Sequence, residues 1–426
     1  MKRIIYILTT IFLFCMQSCV KDEKDLFDQS ASERISAKLL EYNKILQDAP
    51  NGWKMEYFPE TDQSMGGYTY FCTFQDGEVV MMVDMTLTLA GVDLYPAGTP
   101  VNSQYKLISD QGPVLSFDTY NPIFHYFSEP KSMIDTDGYK GDYEFVFMKQ
   151  EGKKLIMKGK KYGNTMIMTP IESSPEEDLN QILETQNLMS KVPYDRIKIA
   201  GKEYTLELDY GDRQFIVEES STEKQKAAFL FTETGIKLYK PMTINGEELY
   251  EFKLDKENKT ITAINADATI LRTPWIRILT NPATQYIFEF SVEKNQATMN
   301  DELFELLKEG YKANTGESFL IMYIGKNHLD NNSGDTVIAF GSASGSTFYY
   351  PSYGCEFTAV GENNDLLNIK VDMDKSNMIS WYAWCKPIAE YIEANSPYRL
   401  EDVAADSSNN IKCVSTKDPN VWFELK

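Results

Sequence analysis

The sequence predicts a mainly β protein: an antiparallel, barrel-like meander with a capping helix at the N-terminal end, then further β-rich regions with a few short helices. Three observations predict it. Apolar residues recur with a period of two along most of the chain. Short Gly or Asp-Gly turns join neighbouring strand-like pieces. Helical spacing is confined to three or four short stretches. Strands that follow one another without an intervening helix pair antiparallel, and a long meander hides its edges by curling or closing.

The first folded element is a helix. Ser30-Ala31-Ser32-Glu33 reads as a capping box, Ile35, Leu39, Tyr42 and Leu46 form one apolar stripe, and Pro50-Asn51-Gly52 stops it. So narrow a stripe must lie against a sheet. From Trp53 the period changes to two, through Met55 and Tyr57. Tyr68 to Phe74 leads into the hairpin signal Gln75-Asp76-Gly77. Val79, Met81, Val83, Met85, Leu87 and Leu89 alternate as one eleven-residue strand. Tyr105–Ile108, Val114–Phe117, Tyr143–Met148, Lys154–Gly159 and Thr165–Thr169 continue the meander. The likeness to lipocalin-like barrels is architectural, since no lipocalin motif is intact.

Ser173-Ser174-Pro175-Glu176-Glu177-Asp178 opens a second helix, its acidic first turn complementing the helix dipole. Tyr204–Leu208, Phe215–Val217, Phe229–Thr232, Ile236–Tyr239, Leu249–Leu254 and Thr269–Arg272 follow as strands. Gly141-Asp142-Tyr143-Glu144-Phe145 ahead of Thr169-Pro170 is echoed by Glu248-Leu249-Tyr250-Glu251-Phe252 ahead of Thr273-Pro274, which reads either as a duplicated hairpin unit or as chance. Beyond a short helix at Asn300-Asp301-Glu302, alternation resumes at Phe319–Ile324, Val337–Phe340, Phe348–Tyr350, Leu366–Met373 and Val421–Leu425. Pro387 to Asn395 reads as a late helix.

The N-terminus specifies a location. Lys2 and Arg3 precede an apolar run from Ile4 to Met16, and Gln17-Ser18-Cys19 follows. That is the layout of a secretory signal, and the run is too short to span the ~30 Å hydrocarbon core. Met16-Gln17-Ser18-Cys19 resembles a bacterial lipobox, departing from it at Gln17, which implies acyl chains on Cys19. The charged stretch Val20 to Asp28 reads as a solvated tether. It is similar to the acidic signal that sends some Gram-negative lipoproteins to the outer face of the outer membrane. The expected organisation is a signal peptide over 1–18, a tether over 19–29, a helix-plus-β domain over 30–190, a second β region over 191–290 and a C-terminal β-rich region over 291–426.

Removing Lys2 and Arg3 with the signal takes the formal charge from -21 to -23. With no basic stripe to displace counterions from phosphates, nucleic acid is excluded as a partner. Cys72, Cys355, Cys385 and Cys413 lack C-x-x-C spacing, so no zinc or redox site is indicated; they read as buried thiols, with a disulfide between two of them the alternative that export permits.

No cofactor and no catalytic motif emerge. His125 lies in the aromatic stretch Pro122 to Phe127 and His328 in a loop; neither has a second histidine at i+4. Gly341-Ser342-Ala343-Ser344-Gly345 is not a nucleophile elbow and reads as a loop. Sixty-three acidic residues leave any glycosidase pair unselected. Asp135, Asp137 and Asp142 alternate as in a calcium loop, and Asp330 to Asp335 does so less well. The twelfth position counted from Asp135 is Val146 rather than a bidentate Glu, and turn chemistry explains both loops. The remaining candidates for recognition are aromatic: Trp381, Tyr382 and Trp384, with Tyr349 and Tyr350. If extended, these runs place rings on both faces, so that at least one is exposed to grip a sugar or peptide.

The string from Asp25-Leu26-Phe27-Asp28 through Ser32-Glu33-Arg34 to Ala49-Pro50-Asn51-Gly52-Trp53, with Gly66-Gly67-Tyr68 and Gly141-Asp142-Tyr143-Glu144-Phe145, resembles an uncharacterised Gram-negative lipoprotein family carrying a domain of unknown function. The family is met beside TonB-dependent, starch-utilisation-type uptake systems. The resemblance implies a surface-exposed, non-enzymatic accessory in the capture of a polymer or peptide nutrient, with uptake-complex proteins or an extracellular polymer as partners. It supplies no catalytic residues. A carboxylate-dependent glycan hydrolase and a barrel holding a small apolar ligand are the alternatives.

Overall fold

The computed structural model describes residues 30–425 except 90, 111, 131–135, 282–286, 291–297, 314–315, 327–335 and 404–410. The chain divides into two compact units after Asn180.

In the first unit the capping box forms as expected. Ser30 N–H donates to Glu33 Oε2 at 2.9 Å and Glu33 N–H to Ser30 Oγ at 3.2 Å, starting helix Ala31–Gln47. Its stripe packs on a sheet ordered Val101–Gln104, Glu78–Val83, Tyr68–Gln75, Trp53–Phe58, Thr165–Pro170, Lys154–Gly159, Glu144–Glu151, Pro113–Ser116 and Lys106–Ser109. The first and last of these are consecutive in the chain, separated only by Tyr105, whose N–H donates to the Gly77 carbonyl at 2.9 Å. One bent strand therefore brings the two ends of the sheet together into a nearly closed antiparallel barrel of eight strands. Asp76 (φ 50°) and Gly77 (φ 85°) make its two-residue hairpin turn, where both residues need positive φ.

The eleven-residue alternation is not one strand. Asp84 is buried and accepts the Thr69 N–H at 3.2 Å, ending Glu78–Val83; Leu87–Leu89 then pairs with Val92–Tyr95 in a separate hairpin. The lumen is packed with Met55, Tyr57, Tyr70, Phe117, Phe145, Met166 and Met168. Helix Ala31–Gln47 is locked on by the Tyr42–Phe147 stack (4.0 Å) and by Trp53 Nε1–H donating to the Leu46 carbonyl at 2.9 Å. Helix Pro122–His125, between the barrel's fifth and sixth strands, sends Phe124 against Tyr57, Tyr70 and Phe117.

The second unit holds a closed barrel running in chain order from Tyr194–Ile199 to Ala268–Arg272, the two pairing antiparallel. Phe215, Phe252, Phe229, Leu206, Ile261 and Ile270 fill its lumen. The echoed segments touch corresponding strands, Glu144–Glu151 and Glu247–Asp255, each the third from the end of its meander, but Gly141 to Tyr143 precede the first strand whereas Glu248 to Phe252 lie within the second.

A third meander follows, in the order Ile287–Phe290, Ser318–Lys326, Thr336–Ser344, Ser352–Val360, Leu366–Asn377, Tyr398–Asp402, Ile411–Ser415 and Trp422–Leu425, with Thr347–Tyr349 paired to Thr336–Ser344. Its first and last strands approach each other. Helices Trp275–Thr280, Asp301–Ala313 and Cys385–Ala394 bury Ile278, Leu303, Leu307, Ile388 and Ile392 against the sheet. Cys385–Ala394, like Pro122–His125, lies between fifth and sixth strands. Among the described residues, no helix is long and apolar enough to cross a membrane.

Candidate functional site

The two aromatic runs singled out in the sequence meet at one end of the third meander. Phe348 and Tyr349 lie in the short strand Thr347–Tyr349, and residues 378–384 are not extended but turn into helix Cys385–Ala394. This sorts the rings by environment. Tyr382 is buried, 6.3 Å centre to centre from Tyr349, and its hydroxyl donates to Glu317 Oε1 at 2.9 Å. Ser342 Oγ holds the other Glu317 oxygen at 2.6 Å. Burial and the Glu317 carboxylate push the Tyr382 phenol up to about 12. Trp384 packs on Phe340 at 5.5 Å, and a Cβ on Gly310 would come within 2.4 Å of its ring, so glycine is required there. Tyr350 packs against the small cluster of Tyr323, Val337 and Ala339.

Trp381 is left 85 % exposed and Phe348 57 % exposed, each one residue from the buried contact that holds its backbone. These are two large apolar rings left open to solvent, one on each of the two runs. Glu317 and Ser342, which fix Tyr382, were missed in the sequence, where Ser342 reads as part of a loop; it lies in strand Thr336–Ser344.

The acidic candidates are used differently. Asp142 is buried, and its carboxylate accepts backbone N–H groups from Lys161 (2.7 Å), Tyr162 (3.0 Å) and Asn164 (3.1 Å). Asn164 Oδ1 in turn accepts the Asp142 N–H at 2.7 Å. A Cβ on Gly159 would fall 1.9 Å from Asp142 Oδ2, so the carboxylate and the turn are fitted to each other. Asp137 is exposed and accepts from the Tyr162 hydroxyl at 2.9 Å. Asp135, the loop Asp330 to Asp335, His328 and Cys19 lie outside the described residues. Among the described residues no three His, Cys, Asp or Glu side chains gather to hold a metal.

His125 is half-buried, with Nδ1 3.1 Å from the Asn121 amide nitrogen, and burial lowers its pKa. Cys72, Cys385 and Cys413 are buried thiols and Cys355 is half-buried; all four are free, with acidities suppressed by burial.

The fold is a chain of successive antiparallel meanders filled with side chains. The chain belongs to the family described as Domain of unknown function (DUF4302), which matches residues 23–256. No curated protein matches the sequence. Among solved structures, a DNA polymerase sliding clamp and a pol III beta, both of Caulobacter crescentus, align over 91 % of this chain and 96 and 97 % of their own, at 9 % identity and a TM-score of 0.11. A score that low carries no likeness of fold or role.

Proposed function

We propose that the protein is a lipid-anchored binding protein of the outer-membrane surface, non-enzymatic itself, that captures a polymer or peptide nutrient for an uptake complex. The observation that carries this reading is the N-terminal sequence: two basic residues, a short apolar run and Ser18-Cys19, followed by an acidic tether. The exposed Trp381 and Phe348 support a binding role, because a fixed indole gives apolar contact area at little cost in conformational entropy.

The reading is tested in two steps. Metabolic labelling with an alkynyl fatty acid should mark the wild type and not Cys19→Ala; labelling of both, or of neither, overturns the anchor. A screen of immobilised glycans and peptides, with crosslinking on intact cells, should recover a ligand or partner that Trp381→Ala weakens. Silence in both removes the capture role.

A further inference from the structure

The family-like segment Gly141-Asp142-Tyr143-Glu144-Phe145 leads to a second surface, in the first barrel. Gly141 packs on Phe127, Asp142 pins the turn 160–164, and Phe145 points into the lumen. Tyr143 does none of this. It is 43 % exposed and, with Glu144, Lys160, Lys161, Tyr162 and Ser128, lines a cleft of about 380 Å³. That volume lies within the range of small-ligand sites. Beyond Tyr143 a run of rings continues through His125, 5.2 Å away, to Tyr120, 5.7 Å further on and 60 % exposed.

The walls are braced by hydrogen bonds within the protein. Asp142 holds three amides of the turn that carries Lys161 and Tyr162, and Tyr162 is fixed at its hydroxyl by Asp137. Such preorganisation lowers the entropic cost of binding. The charges are also already matched within the protein. Lys160 Nζ lies 2.7 Å from Asp110 and 3.2 Å from Glu144, and Lys161 Nζ sits 4.5 Å over the Tyr162 ring and 3.5 Å from Asp137. An anionic or cationic ligand would have to break these pairs. A neutral, hydroxyl-rich ligand needs only fixed donors and acceptors beside a ring face, whose negative potential attracts polarised C–H groups.

The place in the fold is a second argument. This cleft is built from the connections between fifth and sixth and between seventh and eighth strands of the first barrel. The Trp381 surface arises from the fifth-to-sixth connection of the third meander. Two meanders of the same order thus present aromatic rings from the same connection.

We infer that the Tyr143 cleft is a binding site for a neutral saccharide, one pyranose ring lying against Tyr143 with its hydroxyls bonded to the outer atoms of the intact Glu144–Lys160 pair. The inference deepens the binding role proposed above and rests on it only for the source of the sugar.

The test uses saturation-transfer NMR and calorimetry on the full chain with maltohexaose, cellohexaose, mannohexaose and xylohexaose, against alginate and chitosan hexamers. At least one neutral hexamer should bind. Tyr143→Ala should weaken it by about tenfold or more, the order expected when a stacking ring is removed; Tyr143→Phe should keep it, and Trp381→Ala should not abolish it. Lys160→Met gives an independent loss should Tyr143→Ala fail to fold. Absence of neutral binding, preference for a charged hexamer, or binding indifferent to Tyr143→Ala and Lys160→Met overturns the site. Binding by a Cys19→Ala chain in solution supports it whatever becomes of the anchor, so the two proposals fail separately.

Discussion

Asp142 and Asp402 show how single carboxylates hold this chain together. Asp142→Asn replaces an oxygen that accepts backbone N–H groups by an amide that donates, and the turn 160–164 loses its pin. We expect a loss of about 2–3 kcal/mol, typical of buried hydrogen bonds to a charge, read as a lower urea midpoint for the first unit. Asp402 accepts from both terminal nitrogens of Arg272 and from Trp275 Nε1 at 2.8 Å, joining the closed barrel's last strand to the third meander. The Arg272 hydrogen bonds, aided by that of Trp275, hold its carboxyl at about 2, below the ordinary 3.8. A lowered folded-state value stabilises above the unfolded one, so the contribution is complete above about pH 4 and is lost as pH falls toward 2. Thermal midpoints of wild type and Asp402→Asn should differ at pH 7 and converge near pH 2. At this scale the sequence was half legible. Trp381 stood out in a run too aromatic to bury whole. Tyr143 did not, because alternation with Phe145 and Phe147 predicts it inside; the strand begins only at Glu144, and the preceding turn swings the ring outward.

Helix Ala31–Gln47 was readable because its cap, stripe and stop are local signals. Its docking rests on few side chains, chiefly the fully buried Leu46 and the Tyr42–Phe147 stack. Leu46→Ala should cost about 2–4 kcal/mol by leaving a cavity under the Trp53 indole, and limited proteolysis should then cut within the helix before the barrel. Strands with clean alternation were equally readable, the hairpin at Asp76-Gly77 most of all. The failures have particular causes. Asp84 interrupts the pattern from Val79 to Leu89 only because its carboxylate finds the Thr69 amide, a contact across strands that no local period contains. Ser352–Val360 escaped notice because its outer half is only partly buried, which blurs the alternation. Its pairing with Leu366–Asn377 also slips beside Gly354, where an added Cβ would lie 2.9 Å from the Cβ of Lys375.

Across the whole molecule, closure order sets where the chain can be cut. The family match ends at residue 256, inside the closed barrel, whose last two strands, Thr260–Ala263 and Ala268–Arg272, lie beyond it. A fragment 30–180 should therefore unfold cooperatively. A fragment 30–256 should expose the unpaired edges of Tyr194–Ile199 and Glu247–Asp255 and self-associate, and extension to residue 274 should restore a monomer; light scattering and circular dichroism would report both. The bent strand 101–109 gives the first barrel a different property. With one segment serving both neighbours, the cylinder has a seam rather than a rim. A single peptide-bond scission beside Tyr105 would free two adhesive borders at once, so the tyrosine buried at that joint works as the clasp of the whole staved wall.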